Sequence, residues 1–351
     1  MIELGVDQHK RFSQVAALDT QTGKIEHRRL EHDDPQAIRS YMASLGPQVR
    51  ASLETTGNWY WLADLLEEEG AQVQLANTLE TRRLLKARAK NDRLDAQALA
   101  VLSHQGLLPQ VYLPTKAQRD QREVHRFRIR LLGLQTQVRN IVHSILSKLN
   151  VPTPFTDMFG RSGRSYLDRL ALREPYAGQL RSALRVLDAI APEVLRAKQQ
   201  IVHRLKGEPL ADLLQSAPGI GQLTAYLILS EVGPIERFRS QKQFARYCCL
   251  TPGTWRSARR SRDVPVGRHG NLYLKAAFGS AAVTAIRTDA TMAGYYRRTA
   301  ARKGKQTARM ATARRLAICV YQMLTRRQRY RPAAQQIRHT GKPHLCPGQH
   351  S

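Results

Sequence analysis

The sequence predicts a mixed α/β region followed by a mainly helical remainder. Three short strand-like segments at residues 2–8, 12–19 and 24–30 come first, and helix-like and strand-like segments then alternate as far as residue 77. Beyond that point, apolar residues recur at spacings of three and four, which is the helical period. We therefore expect a sheet with helices on its faces in the first third of the chain, and helices in the rest.

The first three strand-like segments are separated by short turns, one of which contains Gly23, and this predicts an antiparallel meander. Helices and strands are then expected in alternation, at 34–45, 49–55, 57–69 and 71–77. A helical pattern follows over 78–107, and Pro109 and Pro114 mark its end. This order predicts a mixed sheet rather than a purely antiparallel one.

The remainder is predicted to be helical at 116–150, 177–206, 213–233 and 271–328, with loops at 151–166 and 251–270. The helix at 116–150 has one apolar stripe with arginine-rich flanks, which is typical of a coiled-coil arm or a hairpin of long helices. The stripe comprises Val124, Phe127, Leu131, Leu134, Val138, Ile141, Ile145 and Leu149.

Charge is distributed unevenly along the chain. The formal net charge is +28, yet residues 1–100 contain 13 Lys and Arg against 15 Asp and Glu. Residues 251–330 contain 18 Lys and Arg against 2 Asp and Glu. A basic region of this kind indicates a polyanionic partner, of which nucleic acid is the commonest in a cell. The near-neutral first third is free to contain acidic metal ligands.

The cysteines and the amino terminus bear on the compartment. Four cysteines occur, Cys248 and Cys249 are adjacent, and no C-x-x-C motif is present, so no disulfide framework is expected. The first residues have no signal-peptide pattern, and no apolar run approaches 18 residues. We expect a cytoplasmic protein without a membrane span, associated with the bacterial nucleoid when bound to DNA.

Four carboxylates form the first candidate site. Asp7 and Glu54 lie near the ends of two predicted strands, whereas Asp92 and Asp95 lie three apart at a predicted helix start. Each acid alone is more often a surface or capping residue, and Asp92 could be an N-cap. Together they can bind a hard divalent cation, and Mg²⁺ prefers such oxygen ligands during phosphodiester chemistry.

The string Pro218-Gly219-Ile220-Gly221 forms the second candidate site. It fits a helix-hairpin-helix, in which Gly219 and Gly221 let backbone N–H groups approach a DNA phosphate. A plain turn between two helices is the alternative.

A third group of basic residues is predicted to bind nucleic acid, and it comprises Arg256, Arg259, Arg260, Arg262, Arg302, Lys303 and Lys305. Ser257 lies among these arginines, and from the residues alone it is a solvated serine in a phosphate-binding loop.

Five ordered blocks resemble the insertion sequence 110 (IS110) transposases, which are DEDD-type recombinases guided by a bridge RNA. The blocks are GVDQHK with Asp7, LETTGNWYWLADLLEEEG with Glu54, KNDRLDAQALA with Asp92 and Asp95, the stretch from APGIGQLTAYLILSEVG through CLTPGTWRSARRSR to GRHGNLYLKAAF, and YYRRTAARKGKQTARMATARRLA. They extend over most of the chain.

The resemblance implies a ribonuclease H-like (RuvC resolvase-like) fold, with Asp7, Glu54, Asp92 and Asp95 binding Mg²⁺. It also places a catalytic serine after the segment CLTP. The family usually reads Ser-Gly there, whereas this chain reads Ser257-Ala258, and Ser261 is the alternative position. The implied partners are donor and target DNA, a non-coding guide RNA, and further copies of the chain in a dimer or tetramer.

Four regions are predicted on this basis. Residues 1–112 would form the DEDD catalytic domain, 113–206 a helical coiled-coil arm, and 207–330 a helical transposase domain with the helix-hairpin-helix and the serine loop. Residues 331–351 would form a disordered polar tail, whose His339, His344, Cys346 and His350 fit no standard zinc spacing.

Two other functions remain open from the sequence. A RuvC-like junction resolvase or nuclease would use the acids for hydrolysis and would need no serine. A non-catalytic nucleic-acid-binding protein would bind DNA without cutting it. The ordered blocks favour a recombinase that cuts and rejoins DNA strands of a mobile element.

Overall fold

A computed structural model describes residues 1–55, 58–85, 91–251, 253–257, 260–264 and 270–332, with the backbone alone described at 253–257 and 260–264. The chain divides into two compact units, Met1–Lys116 and Ala117–Ser351. The first unit contains a sheet, and the second is mainly helical.

The sheet of the first unit has six strands among its described residues. They are β1 (Ile2–Gln8), β2 (Phe12–Asp19), β3 (Ile25–Glu31), β4 (Val49–Glu54), β5 (Gln72–Ala76) and β6 (Gln110–Val111), in the order β3-β2-β1-β4-β5-β6. Strands β1 to β3 are antiparallel, β4 is parallel to β1, and β5 is parallel to β4. The predicted mixed sheet is confirmed. The two-residue β6 pairs antiparallel with β5 and was not predicted, because so short a strand has no periodic pattern.

Helices cover both faces of this sheet. The helices of this unit are α1 (Pro35–Ser44), α2 (Trp59–Glu68), α3 (Thr78–Leu85) and α4 (Asp92–His104). The even-numbered residues Leu4 and Val6 of β1 belong to a buried core that also contains Ile38 of α1 and Leu62 of α2. The odd-numbered residues of β1 face the other way, as side chains alternate along a strand, and α4 packs there.

Gly5 of β1 explains how closely α4 can approach the sheet. A Cβ atom at Gly5 would lie 1.9 Å from the carbonyl oxygen of Ala96 and 2.7 Å from the amide nitrogen of Ala100. The same face also contains a buried polar contact, in which Ser103 of α4 donates a hydrogen bond to Glu3 over 2.6 Å. Small residues on both elements therefore bring the first turn of α4 to the edge of the sheet.

The second unit contains nine α-helices and one hairpin among its described residues. The helices are α5 (Lys116–Lys148), α6 (Arg161–Arg169), α7 (Tyr176–Arg204), α8 (Pro209–Gln215), α9 (Gln222–Val232), α10 (Gln241–Tyr247), α11 (Leu272–Thr288), α12 (Ala290–Lys303) and α13 (Lys305–Arg326). The hairpin pairs β7 (Gly253–Ser257) with β8 (Arg260–Val264). Among the described helices, none has both the length and the apolar composition needed to cross a bilayer.

The apolar stripe of α5 divides between opposite surroundings. Leu131 and Ile145 are buried. Phe127, Leu134 and Ile141, each seven residues from the next, are about half exposed. The carboxyl-terminal half of α5 contributes Val142 and Leu146 to a small core with α6 and α7, and these two residues lie outside the predicted stripe. The stripe is therefore not a single buried face.

Two loop predictions are wrong in part. Residues 161–166, expected in a loop, belong to α6 (Arg161–Arg169), which buries Leu167. Residues 253–257 and 260–264, expected in a second loop, form the β7–β8 hairpin. The hairpin was not predicted because the Thr, Trp, Ser and Arg residues of these strands show no apolar period. The predicted tail and its His and Cys residues fall almost wholly within 333–351, outside the described residues.

Candidate functional site

Asp7 and Glu54 lie at the same edge of the sheet. Asp7 is the sixth residue of the seven-residue β1, and Glu54 is the last residue of β4. Because β1 and β4 are neighbouring parallel strands, their carboxyl ends meet at one edge. The sequence predicts that each acid lies near a strand end, and the sheet order makes those two ends neighbours.

Asp92 and Asp95 occupy the first turn of α4. Asn91 is the N-cap of this helix, since its side chain accepts a hydrogen bond from the backbone N–H of Arg93. Asp92 therefore does not cap the helix. Its carboxylate contacts His9 instead. The positive end of the helix dipole also favours negative charge at these two positions.

His9 joins the two groups of acids and was not singled out from the sequence. Its Nε2 atom lies 3.2 Å from Asp7 Oδ2 and 3.2 Å from Asp92 Oδ2. This nitrogen is buried, and neither contact has hydrogen-bond geometry. Ligand atoms of Asp7, His9 and Asp92 all lie within 4.8 Å of one another. The available signal was the spacing of Asp7 and His9, two apart at the end of a strand.

The four carboxylates influence one another electrostatically. Burial raises the pKa of Asp7, His9 lowers it, and the charges of Asp92 and Asp95 raise it further. Burial also raises the pKa of Glu54, Arg82 lowers it, and the charges of Asp7 and Asp95 add to the increase. The charges of Asp92 and Asp95 thus act on Asp7, and those of Asp7 and Asp95 act on Glu54, so the four predicted acids lie within electrostatic range of one another.

The residues present fit a divalent cation. A cation would relieve the repulsion between the carboxylates and would give the buried His9 Nε2 a partner. Carboxylate oxygens suit Mg²⁺, Ca²⁺ and Mn²⁺, whereas an imidazole nitrogen suits transition metals better than Mg²⁺. The geometry therefore indicates a divalent-metal site without specifying the ion.

Gly219 and Gly221 lie between α8 and α9. Gly219 has a φ of +81°, and a Cβ atom there would lie 2.2 Å from the carbonyl oxygen of Ala281 in α11. Packing within the protein thus accounts for this glycine without a phosphate. Gly221 is exposed, it is the N-cap of α9, and it offers no side chain to the free N–H groups of the helix. Contact with a DNA phosphate at Gly221 stays a prediction.

Ser257 and Ser261 lie on the two strands of the hairpin. The register places Ser257 opposite Arg260, Ser261 opposite Arg256, and Arg262 opposite Trp255. Both candidate serines therefore lie on neighbouring rungs of one short ladder, each across from an arginine. Arg259 lies outside the described residues.

A turn between α12 and α13 contains the other three predicted basic residues. Arg302 and Lys303 end α12, Gly304 follows with a φ of +81°, and Lys305 begins α13. All three basic side chains are exposed. This exposed basic turn, Arg302 to Lys305, has the character of a phosphate-binding surface.

Glu231 in α9 is a buried charged residue that sequence reasoning missed. Its carboxylate is fully buried and accepts hydrogen bonds from Arg126 at 2.7 and 2.9 Å and from Asn271 at 2.7 Å. His125 Nε2 lies 3.0 Å away. Arg122 of α5 donates to the carbonyl of Ser230 at 3.0 Å and to that of Glu231 at 2.8 Å. These contacts join the start of α5 to α9.

Two family models match the chain. A DEDD transposase model of the IS110 type matches residues 4–151, and a model described as "Transposase IS116/IS110/IS902 family" matches residues 211–297. Together they match about two thirds of the chain. The first contains the sheet and all four acids, and the second contains the α8–α9 turn and the hairpin.

Relatives of nearly equal length support the same conclusion. A "Probable family 20 transposase" of Pseudomonas aeruginosa is 24% identical over 94% of this chain and 98% of its own length. The "Transposase for insertion sequence element IS1111A" of Coxiella burnetii is 25% identical over 94% of this chain and 92% of its own. The sheet, the acids and these similarities define an enzyme that cuts and rejoins DNA. The chain belongs to the IS110 family of transposases.

Proposed function

We propose that this transposase cuts and rejoins DNA through a covalent serine intermediate, with Ser257 as the nucleophile and a Mg²⁺ site at Asp7, Glu54, Asp92 and Asp95. The observation that supports it most directly is the convergence of Asp7, His9 and Asp92, whose ligand atoms lie within 4.8 Å of one another. The strand order β3-β2-β1-β4-β5, antiparallel and then parallel, supports a ribonuclease H-like fold for this unit.

The four acids would hold the cation, and His9 would bind it through a ring nitrogen beside Asp7 and Asp92. A bound divalent cation supplies Lewis acidity at a phosphodiester and neutralises charge that develops on its oxygens. Desolvation at Asp7 and Glu54 strengthens their interaction with any positive charge, because the local dielectric is low. The N-terminal dipole of α4 opposes this attraction only weakly.

The serine would make the reaction reversible. Attack by the Ser257 hydroxyl on the phosphorus forms a phosphodiester to the protein and releases one DNA hydroxyl. Attack by a DNA hydroxyl on that phosphoserine restores a DNA strand and the free serine, so the bond energy is kept. Arg256 and Arg260 on the hairpin, together with Arg259 and Arg262, are proposed to stabilise charge on the phosphate.

The proposed partners are donor and target DNA, a non-coding guide RNA, and further copies of the chain in a dimer or tetramer. The exposed basic turn and the N-terminus of α9 at Gly221 would contact phosphates. A net charge of +28 favours binding of a large polyanion, which suits an assembly that contains RNA as well as DNA.

The test is to trap the protein on nicked DNA spanning one end of its element and to map the adduct by mass spectrometry. The expected result is an adduct on Ser257 that disappears in Ser257→Ala and is strongly reduced in Asp92→Ala. Ser261→Ala is the matched control, because Ser261 lies on the neighbouring rung.

Other outcomes identify other functions. An adduct on Ser261 would reassign the nucleophile. Free DNA ends without an adduct would support a hydrolytic junction resolvase. Binding without cleavage under any divalent metal would support a non-catalytic nucleic-acid-binding protein.

A further inference from the structure

A cleft of about 1000 Å³ opens beside the candidate metal centre. One side is the β1–β2 turn, with His9, Lys10, Arg11 and Phe12, and the other is the end of β3 with Arg29 and the following His32. The turn is held by backbone hydrogen bonds, including one of 2.9 Å from His9 N to Phe12 O. His9 therefore belongs both to this cleft and to the group formed with Asp7 and Asp92.

Planar groups are stacked within the cleft. The His9 and Phe12 rings have centroids 4.5 Å apart and planes 26° from parallel. The guanidinium carbon of Arg29 lies 3.7 Å from the centroid of the Phe12 ring. Unpaired bases stack on aromatic rings, on histidine and on guanidinium planes. Because His9 and Arg29 both pack on Phe12, the planar surface left for a nucleobase is the exposed Arg29 guanidinium, whose side chain is 56% accessible.

The wall of the cleft is held in place by polar contacts. Arg29 Nε donates to Glu31 over 2.5 Å, which holds the guanidinium in position. His32 Nε2 lies 2.8 Å from the Ser13 hydroxyl. Burial lowers the pKa of His32, which favours the neutral form of its ring. A preformed wall reduces the entropy cost of ordering side chains when a ligand binds.

Charge within the cleft distinguishes a base from a phosphate. Glu31 and Asp33 also line it, and because the Glu31 carboxylate pairs with Arg29, the interior has little free positive charge to attract a phosphate. Lys10 and Arg11 lie at the tip of the turn and are exposed. A base in the cleft and its phosphate at the tip would match this distribution.

We propose that the cleft between the β1–β2 turn and the end of β3 binds one unpaired DNA nucleotide next to the phosphodiester that is cut. Arg29, supported by its stack on Phe12 and His9, contacts the base, and Lys10 and Arg11 contact the phosphate. The inference rests on the proposed function only for the identity of the neighbouring phosphodiester. An unpaired nucleotide at this place would also determine which phosphate reaches the carboxylates.

The experiment uses the full-length protein and DNA spanning one end of its element, with a single 2-aminopurine placed at successive positions around the cut. Binding is measured in EDTA, so that no cleavage occurs. At one position beside the cut, fluorescence should fall severalfold on binding, because stacking quenches this base. Arg29→Ala should remove at least half of that quenching and leave other positions unchanged.

Arg28→Ala is the matched control. Arg28 is the neighbour of Arg29 in β3 and also lies over an aromatic ring, 4.9 Å from that of Tyr41, but it does not line the cleft. The Arg28→Ala variant should quench the 2-aminopurine fluorescence as strongly as the wild type does. In cleavage assays, an abasic nucleotide at the sensitive position should slow the wild type about tenfold and should slow Arg29→Ala no further.

Three outcomes would overturn the proposal: equal quenching at every position, equal quenching in Arg29→Ala and wild type, or quenching only when the probe is in RNA. The quenching needs neither metal nor a serine adduct. A failure of the proposed cleavage chemistry is therefore distinguishable from a failure of this inference.

Discussion

Gly5 of β1 and Ala96 of α4 are so close that a single methyl group at Gly5 would lie 1.9 Å from the Ala96 carbonyl oxygen. This contact sets the distance between the sheet and the helix that contains Asp92 and Asp95. A side chain at position 5 must therefore displace α4 or the strand, and with it half of the acid cluster.

Gly5→Ala is expected to lower the free energy of unfolding by about 3 kcal/mol, at the upper end for overpacking, because the obstructing atom is backbone. Metal-dependent cleavage should fall as well. The measurement is chemical denaturation together with a cleavage assay. Gly133→Ala is the control, because Gly133 lies in α5 with nothing within 4 Å of its added Cβ. That control should be neutral or stabilising, by up to about 1 kcal/mol. Equal stability of the two variants would contradict the proposed packing.

His9→Ala tests the nitrogen ligand. We expect Mn²⁺ affinity to fall about tenfold or more, and Mg²⁺ affinity to fall less, because imidazole suits transition metals. Calorimetric titration of each ion measures this directly. His104→Ala is the matched control, since His104 is exposed at the opposite end of α4. Unchanged Mn²⁺ binding in His9→Ala would remove this residue from the metal centre.

Glu231→Gln tests the buried ion pairs of the second unit. Burial raises the pKa of Glu231, but the close contact with His125 and the hydrogen bonds from Arg126 outweigh it and hold the pKa at about 2. Because that value is below the ordinary 4.5, the stabilisation is complete above about pH 4.5 and is lost as the pH falls toward 2. The variant should lose about 3 kcal/mol at pH 7.

Thermal or chemical unfolding between pH 7 and pH 2.5 provides the measurement for Glu231→Gln. The difference from wild type should shrink as the pH falls below 4.5. Glu193→Gln is the control, since Glu193 pairs with Arg196 on the exposed side of α7 and such pairs contribute at most about 1 kcal/mol. A constant difference at all pH values would show that the ionised Glu231 does not stabilise the fold.

Neutralising the exposed basic turn tests its contact with phosphates. Replacing Arg302, Lys303 and Lys305 by Ala should make the dependence of log affinity on log salt concentration shallower by about 2 to 3, through fewer released counterions. Fluorescence anisotropy with labelled DNA at several salt concentrations measures the slope.

A second triple variant removes the same charge elsewhere. Arg185, Lys198 and Lys206 are exposed in or just after α7. Replacing them by Ala should change the slope less than the variant at the basic turn does. Equal changes would show that only overall charge matters, and no change in the first variant would exclude phosphate contact at the turn.

The local pattern of the chain predicted most elements of the first unit. Apolar residues there recur with a period of about two in strands and about three and a half in helices, because one face of each element is buried. Asp7, Glu54, Asp92 and Asp95 could be grouped from the sequence because strand ends and helix starts are local features. The hairpin of strands 253–257 and 260–264 could not be predicted, because its sequence does not alternate between apolar and polar residues.

What the sequence by itself determined is the mixed sheet, the helical remainder, the uneven charge and the family. The tertiary structure decided that His9 faces both Asp7 and Asp92, that the stripe of α5 splits between buried and exposed residues, and that Glu231 is buried among cations from α5. Each of these depends on contacts between residues that are distant in the chain. A pattern read along one segment cannot report them, because burial and charge pairing are set by the neighbouring segment as much as by the residue itself.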